Sequence, residues 1–343
     1  MKSRLPGWWK APWWILQLAT GAKSFVDNPF LGSPALNRRG LHLARMKLAH
    51  RLAWWRRSRL AGAVDPRDRA AFDQNGFVAI PDFLPAAEFN ALKAALFSSK
   101  FEAREQQQGS TVTRRVAINP RLVRDVPQLG GLLRSRRWKG LMRYVASTGG
   151  EPLYYLQTII TSPDGPPDPQ FNLHSDSFQP ALKAWLFLTE VDDRASPLLY
   201  VAGSHRLTPA RTAWEKRKSM VVQTIDDRLS QRGSFRISRD ELSGLGLPEP
   251  TRFAVAANTL VVADTFGFHA RGQSNIPAVR VEIWAYRRRT PFLPWSGGDP
   301  LSLPGLALRR IDWLYAITDW LDRGGWRQQH WRAVGRIPLG RPR

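Results

Sequence analysis

The chain has 343 residues, 43% of them hydrophobic, which is enough to build a full core in one large or two ordinary domains. It contains no cysteine, which excludes disulfides, thiolate catalysis and thiolate metal sites, and it has no run of about 18 apolar residues long enough to span a membrane. Its formal charge of +23 would attract polyanions of any kind, so nucleic acid, anionic lipid and phosphorylated small molecules all enter as candidate partners.

Residues 1–65 form a basic, Trp-rich leader. From Met1 to Gly62, twelve Lys and Arg residues face the single acid Asp27, and tryptophan is interleaved with them in WWKAPWW and AWWRRSR. The apolar stretch APWWILQLA follows Lys2, Arg4 and Lys10 as a secretory signal would, but the TGAK after it offers no convincing cleavage site, so the leader is expected to be retained. In LHLARMKLAHRLAWW, residues Leu41, Ala44, Leu48, Leu52 and Trp55 share one helical face, with Lys47 and Arg51 on a flank and Arg56, Arg57 and Arg59 following. That pattern predicts a helix lying in the interface of an anionic membrane; the alternative is a helix packed on the next domain with solvated arginines. Concentration of charge in a leader of this kind favours a membrane surface over nucleic acid and implies a cytoplasmic, peripherally membrane-associated protein.

The turn-forming VDPRD closes the leader, and residues 66–290 have the texture of a mixed domain. A short strand is predicted at Phe77–Ile80, then a helix with apolar spacing at Phe89, Leu92, Ala95 and Leu96. After Gly150 come YYLQTII, KAWLFLTEV, PLLYVAGSH, TLVVADTF and VRVEIWAYRR, short strands rich in β-branched and aromatic residues that predict a sandwich or barrel, mainly β with flanking helices. Residues 291–343 form a Pro-, Trp- and Arg-rich tail with one predicted helix, 309–321.

The chemistry starts from FNLHSDSF. On an extended strand His174 and Asp176 would point to the same face, where one cation could touch both. Of the remaining histidines, His42 and His50 lie in the leader, His330 in the tail, and His205 at a turn, where a histidine is usually exposed. His269 ends the apolar run TLVVADTFGFHA and is the third candidate ligand. Two histidines and one carboxylate with open positions suit non-haem Fe(II) oxygen chemistry. A 2-oxoacid chelating such a metal needs a cation for its distal carboxylate, ideally a guanidinium. Arg280 follows His269 by eleven residues, so a hairpin is expected to bring both to one cavity; the alternative is a structural ion pair of Arg280 with Glu282 or Glu190.

With these residues in order, the sequence resembles the phytanoyl-CoA dioxygenase family of Fe(II)/2-oxoglutarate oxygenases, whose H-x-D motif, later His and following Arg match His174, Asp176, His269 and Arg280. FDQNGFVAIPDFL, KAWLFLTEVDD and PLLYVAGSHR extend the likeness over about residues 70–290. The resemblance implies a double-stranded β-helix (jelly-roll) core, Fe(II), and 2-oxoglutarate and O2 as cosubstrates. It also implies that Gln157, Phe171 and Trp185 line the iron and cosubstrate pocket, although a buried glutamine and a core tryptophan have ordinary structural uses. Two departures stand out. The usual Asn-Gly-Pro reads Ala195-Ser196-Pro197, and a Ser that often follows the distal His by two residues is Arg271, either a second carboxylate anchor or an outward-facing charge. Asp176 fills a position that halogenating relatives leave small, so hydroxylation of an unactivated C–H bond is expected. The leader suggests a lipid, glycolipid or lipid-linked substrate; an acyl-CoA or other soluble anion, or a non-catalytic polyanion-binding module on the same fold, is the alternative.

Overall fold

The strand-forming runs after Gly150 build the centre of the protein, whose computed structural model describes residues 7–303 and 305–342. Eleven strands are present among them: β1 (Phe77–Ile80), β2 (Lys100–Gln108), β3 (Thr111–Ala117), β4 (Leu153–Thr161), β5 (Leu182–Phe187), β6 (Leu198–Tyr200), β7 (Thr251–Phe253), β8 (Leu260–Asp264), β9 (His269–Arg271), β10 (Ala278–Arg287) and β11 (Arg332–Pro338). Eight of them form an antiparallel sheet in the order β1-β8-β5-β10-β4-β3-β2-β11, and a second sheet has the order β7-β6-β9. This is the two-sheet, mainly antiparallel architecture with flanking helices that the sequence predicts.

The period of two along each strand decides what lies on which face. Leu156 of β4, Leu182, Ala184 and Leu186 of β5, and Val281, Ile283 and Ala285 of β10 pack with Leu96, Leu129, Trp138 and Leu141 from the helices Ala86–Phe97, Pro127–Arg134 and Arg136–Val145. Their alternates, among them Tyr155, Gln157, Lys183, Trp185, Arg280, Trp284 and Tyr286, turn to the other face and line a cavity of about 490 Å³ with residues of the small sheet.

The leader is packed onto this body. Its helix Leu41–Leu60 buries His42, Arg45, Met46, Ala49, His50, Ala53, Arg56 and Arg57, while Leu48 and Trp55 are exposed. Arg56 and Arg57, expected to be solvated, are therefore buried, whereas Lys47, Arg51 and Arg59 are exposed. The reason lies in the partners. Arg45 donates to the carbonyls of Leu18, Thr20 and Ala22, and Arg56 to those of Ser147, Pro291 and Leu293. Arg57 donates to the carbonyls of Tyr144 and Val145 and forms an ion pair with Asp264. A guanidinium carries five donors in a fixed fork, so it can be buried where several carbonyls converge. Burial lowers Arg45 and Arg56 to about 10, which leaves both charged at neutral pH. Lys2 and Arg4 lie outside the described residues. The tail is also integrated: the helix Arg310–Arg323 rests on the domain through Ile311, and β11 closes the edge of the large sheet against β2. No helix among the described residues is long and apolar enough to cross a membrane.

Candidate metal and cosubstrate site

His174 and Asp176 do not sit on a regular strand. The segment is held by isolated bridges: His174 exchanges backbone hydrogen bonds with His269, and the Asp176 amide donates to Thr265 O. The side chains nevertheless converge, with Asp176 Oδ1 3.7 Å from His174 Nε2 and 3.6 Å from His269 Nε2. All three ligand atoms lie within 4.8 Å of one another. Each imidazole is oriented from behind: His174 Nδ1 is 2.8 Å from Asn172 O and His269 Nδ1 is 3.0 Å from Gly267 O. A ring nitrogen facing a carbonyl must carry the proton, so each Nε2 presents its lone pair to the common point, as a metal ligand does.

Electrostatics agree with that tautomer. Burial, reinforced by the proximity of His269, holds His174 well below the ordinary histidine range, and burial brings His269 to about 4 although Asp176 opposes the shift. Both are neutral at physiological pH. Burial pushes the Asp176 carboxyl up, but the Lys183 ammonium bonded to it more than offsets this, so it stays ionised. A cation already rests against the triad: Lys183 Nζ lies 2.7 Å from Asp176 Oδ2 and 3.3 Å from His269 Nε2. The ammonium stands beside the donors that a divalent metal would draw on, and the donor set fits one.

The cosubstrate end lies further along β10. Arg280 is buried; its Nε pairs with Glu282 Oε2 at 2.9 Å and its Nη1 donates to Ser196 O at 2.5 Å. Ser196 has φ +57°, the left-handed conformation that a glycine would adopt without strain, and its hydroxyl donates to Gly272 O. The Ala195-Ser196-Pro197 turn thus aims the Ser196 carbonyl at Arg280. Gln157 bridges Glu282 (2.6 Å) and Arg115 (2.8 Å), whose guanidinium also lies over Tyr155, Trp284 and Trp331. Arg271 is not outward-facing. It is half-buried at the cavity wall and bound to Asp168 at 2.6 Å.

His269 and Arg280 are not partners in a hairpin. They stand on different sheets, β9 and β10, and face the same cavity from opposite walls. Gln157, Trp185, Arg271 and Arg280 all line that cavity, whereas Phe171, the last residue of the short helical turn Pro169–Phe171, does not, although its neighbour Gln170 does. His205 is buried rather than exposed, against Trp54 and Phe72 and remote from the triad.

The family description of phytanoyl-CoA dioxygenase matches residues 72–233, a span that includes the His174 and Asp176 ligands. Residues 72–233 carry the likeness to the phytanoyl-CoA dioxygenase family. The match sets the class, a non-haem iron, 2-oxoglutarate-dependent dioxygenase, and His269 and Arg280, which lie beyond the matched span, line the same cavity as His174 and Asp176. Solved structures similar to this chain include the non-haem α-ketoglutarate-dependent epimerase SnoN from nogalamycin biosynthesis (19% identity, 68% of this chain and 91% of that one, TM-score 0.44). HygX from Streptomyces hygroscopicus, with nickel, 2-oxoglutarate and hygromycin B bound, is 16% identical over 65% of this chain and 87% of its own, with TM-score 0.40. EctD from S. alaskensis with bound Fe is 19% identical over 70% and 83%, with TM-score 0.39. No curated protein matches by sequence.

Four cavity residues of this phytanoyl-CoA dioxygenase domain and its leader were not singled out from sequence. Lys183 was accessible, since it lies two residues before Trp185 and so shares its face of β5. Arg115 was hidden because KFEAREQQQ and TVTRRVA carry too many charges to read as strands. Arg288, just past β10, reads as a surface charge. Lys23 sits in a loop of the leader with no local signal at all, yet its ammonium enters the cavity and donates to Asp176 O at 2.5 Å.

Proposed function

We propose that the chain hydroxylates an unactivated C–H bond, with His174, Asp176 and His269 as the metal ligands and Arg280 as the anchor of the distal carboxylate of 2-oxoglutarate. The convergence of two lone-pair-bearing Nε2 atoms and one carboxylate oxygen, on a cavity that also holds a buried guanidinium, carries the reading. When bound, the iron supplies the redox chemistry that couples decarboxylation of 2-oxoglutarate to oxidation of the substrate. The protein's own part is orientation and charge. The carbonyls of Asn172 and Gly267 fix the imidazoles, and Lys183 holds the second oxygen of Asp176. Glu282 and Ser196 O hold Arg280 with its fork toward the cavity, where charge-assisted bonds would select a dicarboxylate. Leu153, Trp185, Leu198 and Trp284 line the same space and would exclude water from the reacting carbon.

The wall is both aromatic and cationic, which suits a substrate with an apolar body and an acidic group, such as a lipid-like acid or an acyl-CoA. Encounter at a membrane surface is favoured by a specific set of residues: Trp9, Trp13, Ile15, Leu16, Leu48 and Trp55 are exposed, beside the exposed Lys10, Arg38, Arg39, Lys47, Arg51 and Arg59. The catalytic reading is tested by incubating iron-loaded protein with 2-oxoglutarate alone. Slow release of succinate is expected, and its loss in His174→Ala and His269→Ala. Undiminished release in either variant overturns the ligand assignment.

A further inference from the structure

Of the cationic side chains lining the cavity, three are matched by carboxylates: Lys183 by Asp176, Arg271 by Asp168 and Arg280 by Glu282. Arg115 is held by Gln157 and its aromatic cage. Lys23 and Arg288 remain, and neither has an ion-pair partner among the described residues. Both line the cavity, where Lys23 Nζ also donates to Asp176 O at 2.5 Å.

Lys23 is placed there by construction. Arg45 holds the carbonyls of Thr20 and Ala22 just before it, and the Phe25 amide just after it donates to Gln231 O. Gly233 makes room for the loop, since a Cβ there would come within 2.2 Å of the Lys23 carbonyl. A loop fixed on both sides aims a long, flexible cation into the cavity at reduced entropic cost.

The position matters as much as the charge. β10 runs along the cavity with Arg280 near its start and Arg288 just past its end, about 27 Å of strand apart at roughly 3.4 Å per residue. The metal triad lies toward the Tyr286 end of the strand, because Lys183, whose ammonium touches the triad, pairs with Tyr286. The oxoacid anchor is therefore on one side of the triad and the Lys23–Arg288 pair on the other. We propose that Lys23 and Arg288 seat an acidic group, phosphate or carboxylate, of the primary substrate, so that a leader residue sets specificity and the oxidised carbon lies a few bonds from that acid. The proposal rests on the oxygenase reading of the same site. Neither residue touches the oxoacid anchor, so the two can fail separately.

The test uses full-length protein loaded with Ni(II) and 2-oxoglutarate, titrated with inorganic phosphate, with hexyl phosphate, and with phosphatidate vesicles. Hexyl phosphate is expected to bind, and Lys23→Met and Arg288→Met each to raise its Kd at least tenfold. Arg121→Met, which removes a remote exposed charge, should change it less than twofold. Arg288 is exposed, so its variant keeps the comparison valid if Lys23→Met disturbs the loop. Binding of free hexyl phosphate assigns a soluble acid; binding confined to vesicles, with the same losses, assigns a lipid headgroup. Equal affinity in wild type and both variants, or no phosphate binding in any form, overturns the seat. Loss of 2-oxoglutarate binding in wild type would instead overturn the oxygenase reading.

Discussion

Replacing Arg57 with Met removes the cation from a pair in which both side chains are 1% exposed and Nη2 lies 2.8 Å from Asp264 Oδ2. Methionine retains much of the stem's packing on Trp54 and Phe72 but leaves the Asp264 carboxylate with only the Ala181 and Phe266 amides as partners. Removing one member of a buried pair costs about 3–5 kcal/mol. The carbonyls of Tyr144 and Val145 also lose their donor, so the upper part of that range applies. Against a typical total stability of roughly 5–15 kcal/mol, this is a large share. Urea unfolding followed by tryptophan fluorescence should show a loss of about 4 kcal/mol for Arg57→Met, and Asp264→Asn added to it should restore part, because the stranded charge disappears. The loss should reach the site as well. Asp264 O accepts from Tyr200 Oη, and the turn from Asp264 leads to Gly267 and His269, so Ni(II) affinity should fall in parallel. A loss below about 1 kcal/mol would refute the conclusion that the leader is anchored through its arginines.

Arg280→Met should leave metal binding intact and weaken 2-oxoglutarate at least a hundredfold, the equivalent of the lower end of about 3–5 kcal/mol; a change under tenfold, read by competition titration, would shift the anchor to Arg271. Gly267→Ala would set a Cβ 1.9 Å from Tyr200 Oη, and Tyr200 cannot withdraw without losing its bond to Asp264 O; a fall in both melting temperature and Ni(II) affinity is expected, and wild-type values for both would contradict it. His205 is held neutral by burial at about 3 when folded, against about 6.5 unfolded, so the unfolded chain gains a proton that the folded chain refuses between those values. Stability should therefore drop as pH falls from 6.5, by about 1.4 kcal/mol per pH unit from this residue, and His205→Leu should flatten the urea midpoint's dependence on pH over that window. Full-length protein should sediment with anionic vesicles, less so at high salt, and Trp9→Ala with Trp13→Ala should reduce this; unchanged sedimentation would remove these tryptophans from the membrane contact.

The strands after Gly150 were legible because each is rich in β-branched and aromatic residues and bounded by turns, and His174, Asp176, His269 and Arg280 were legible by type and spacing. How they meet was not. An eleven-residue separation reads as a hairpin, but Gly272 to Pro277 carries the chain from one sheet to the other. The leader misled for a different reason: hydrophobic periodicity assumes that charge faces water, and Arg45, Arg56 and Arg57 break that assumption by meeting convergent carbonyls from distant segments. Lys23 has no local signature because its place is set by Gln231 and Gly233, two hundred residues away.

The leader's anchor points also bear on how the chain is made. Arg57 waits for Asp264, Arg56 for the carbonyls of Pro291 and Leu293, and β2 for β11 at the far terminus. The leader is made before these partners and is thus among the last segments to find its place, and an apolar joint exposed for that long would invite association with other nascent chains. Guanidinium groups remain hydrated until their carbonyl partners are assembled. An arginine-built joint lets this chain postpone docking its leader with fewer apolar contacts left open in the interval.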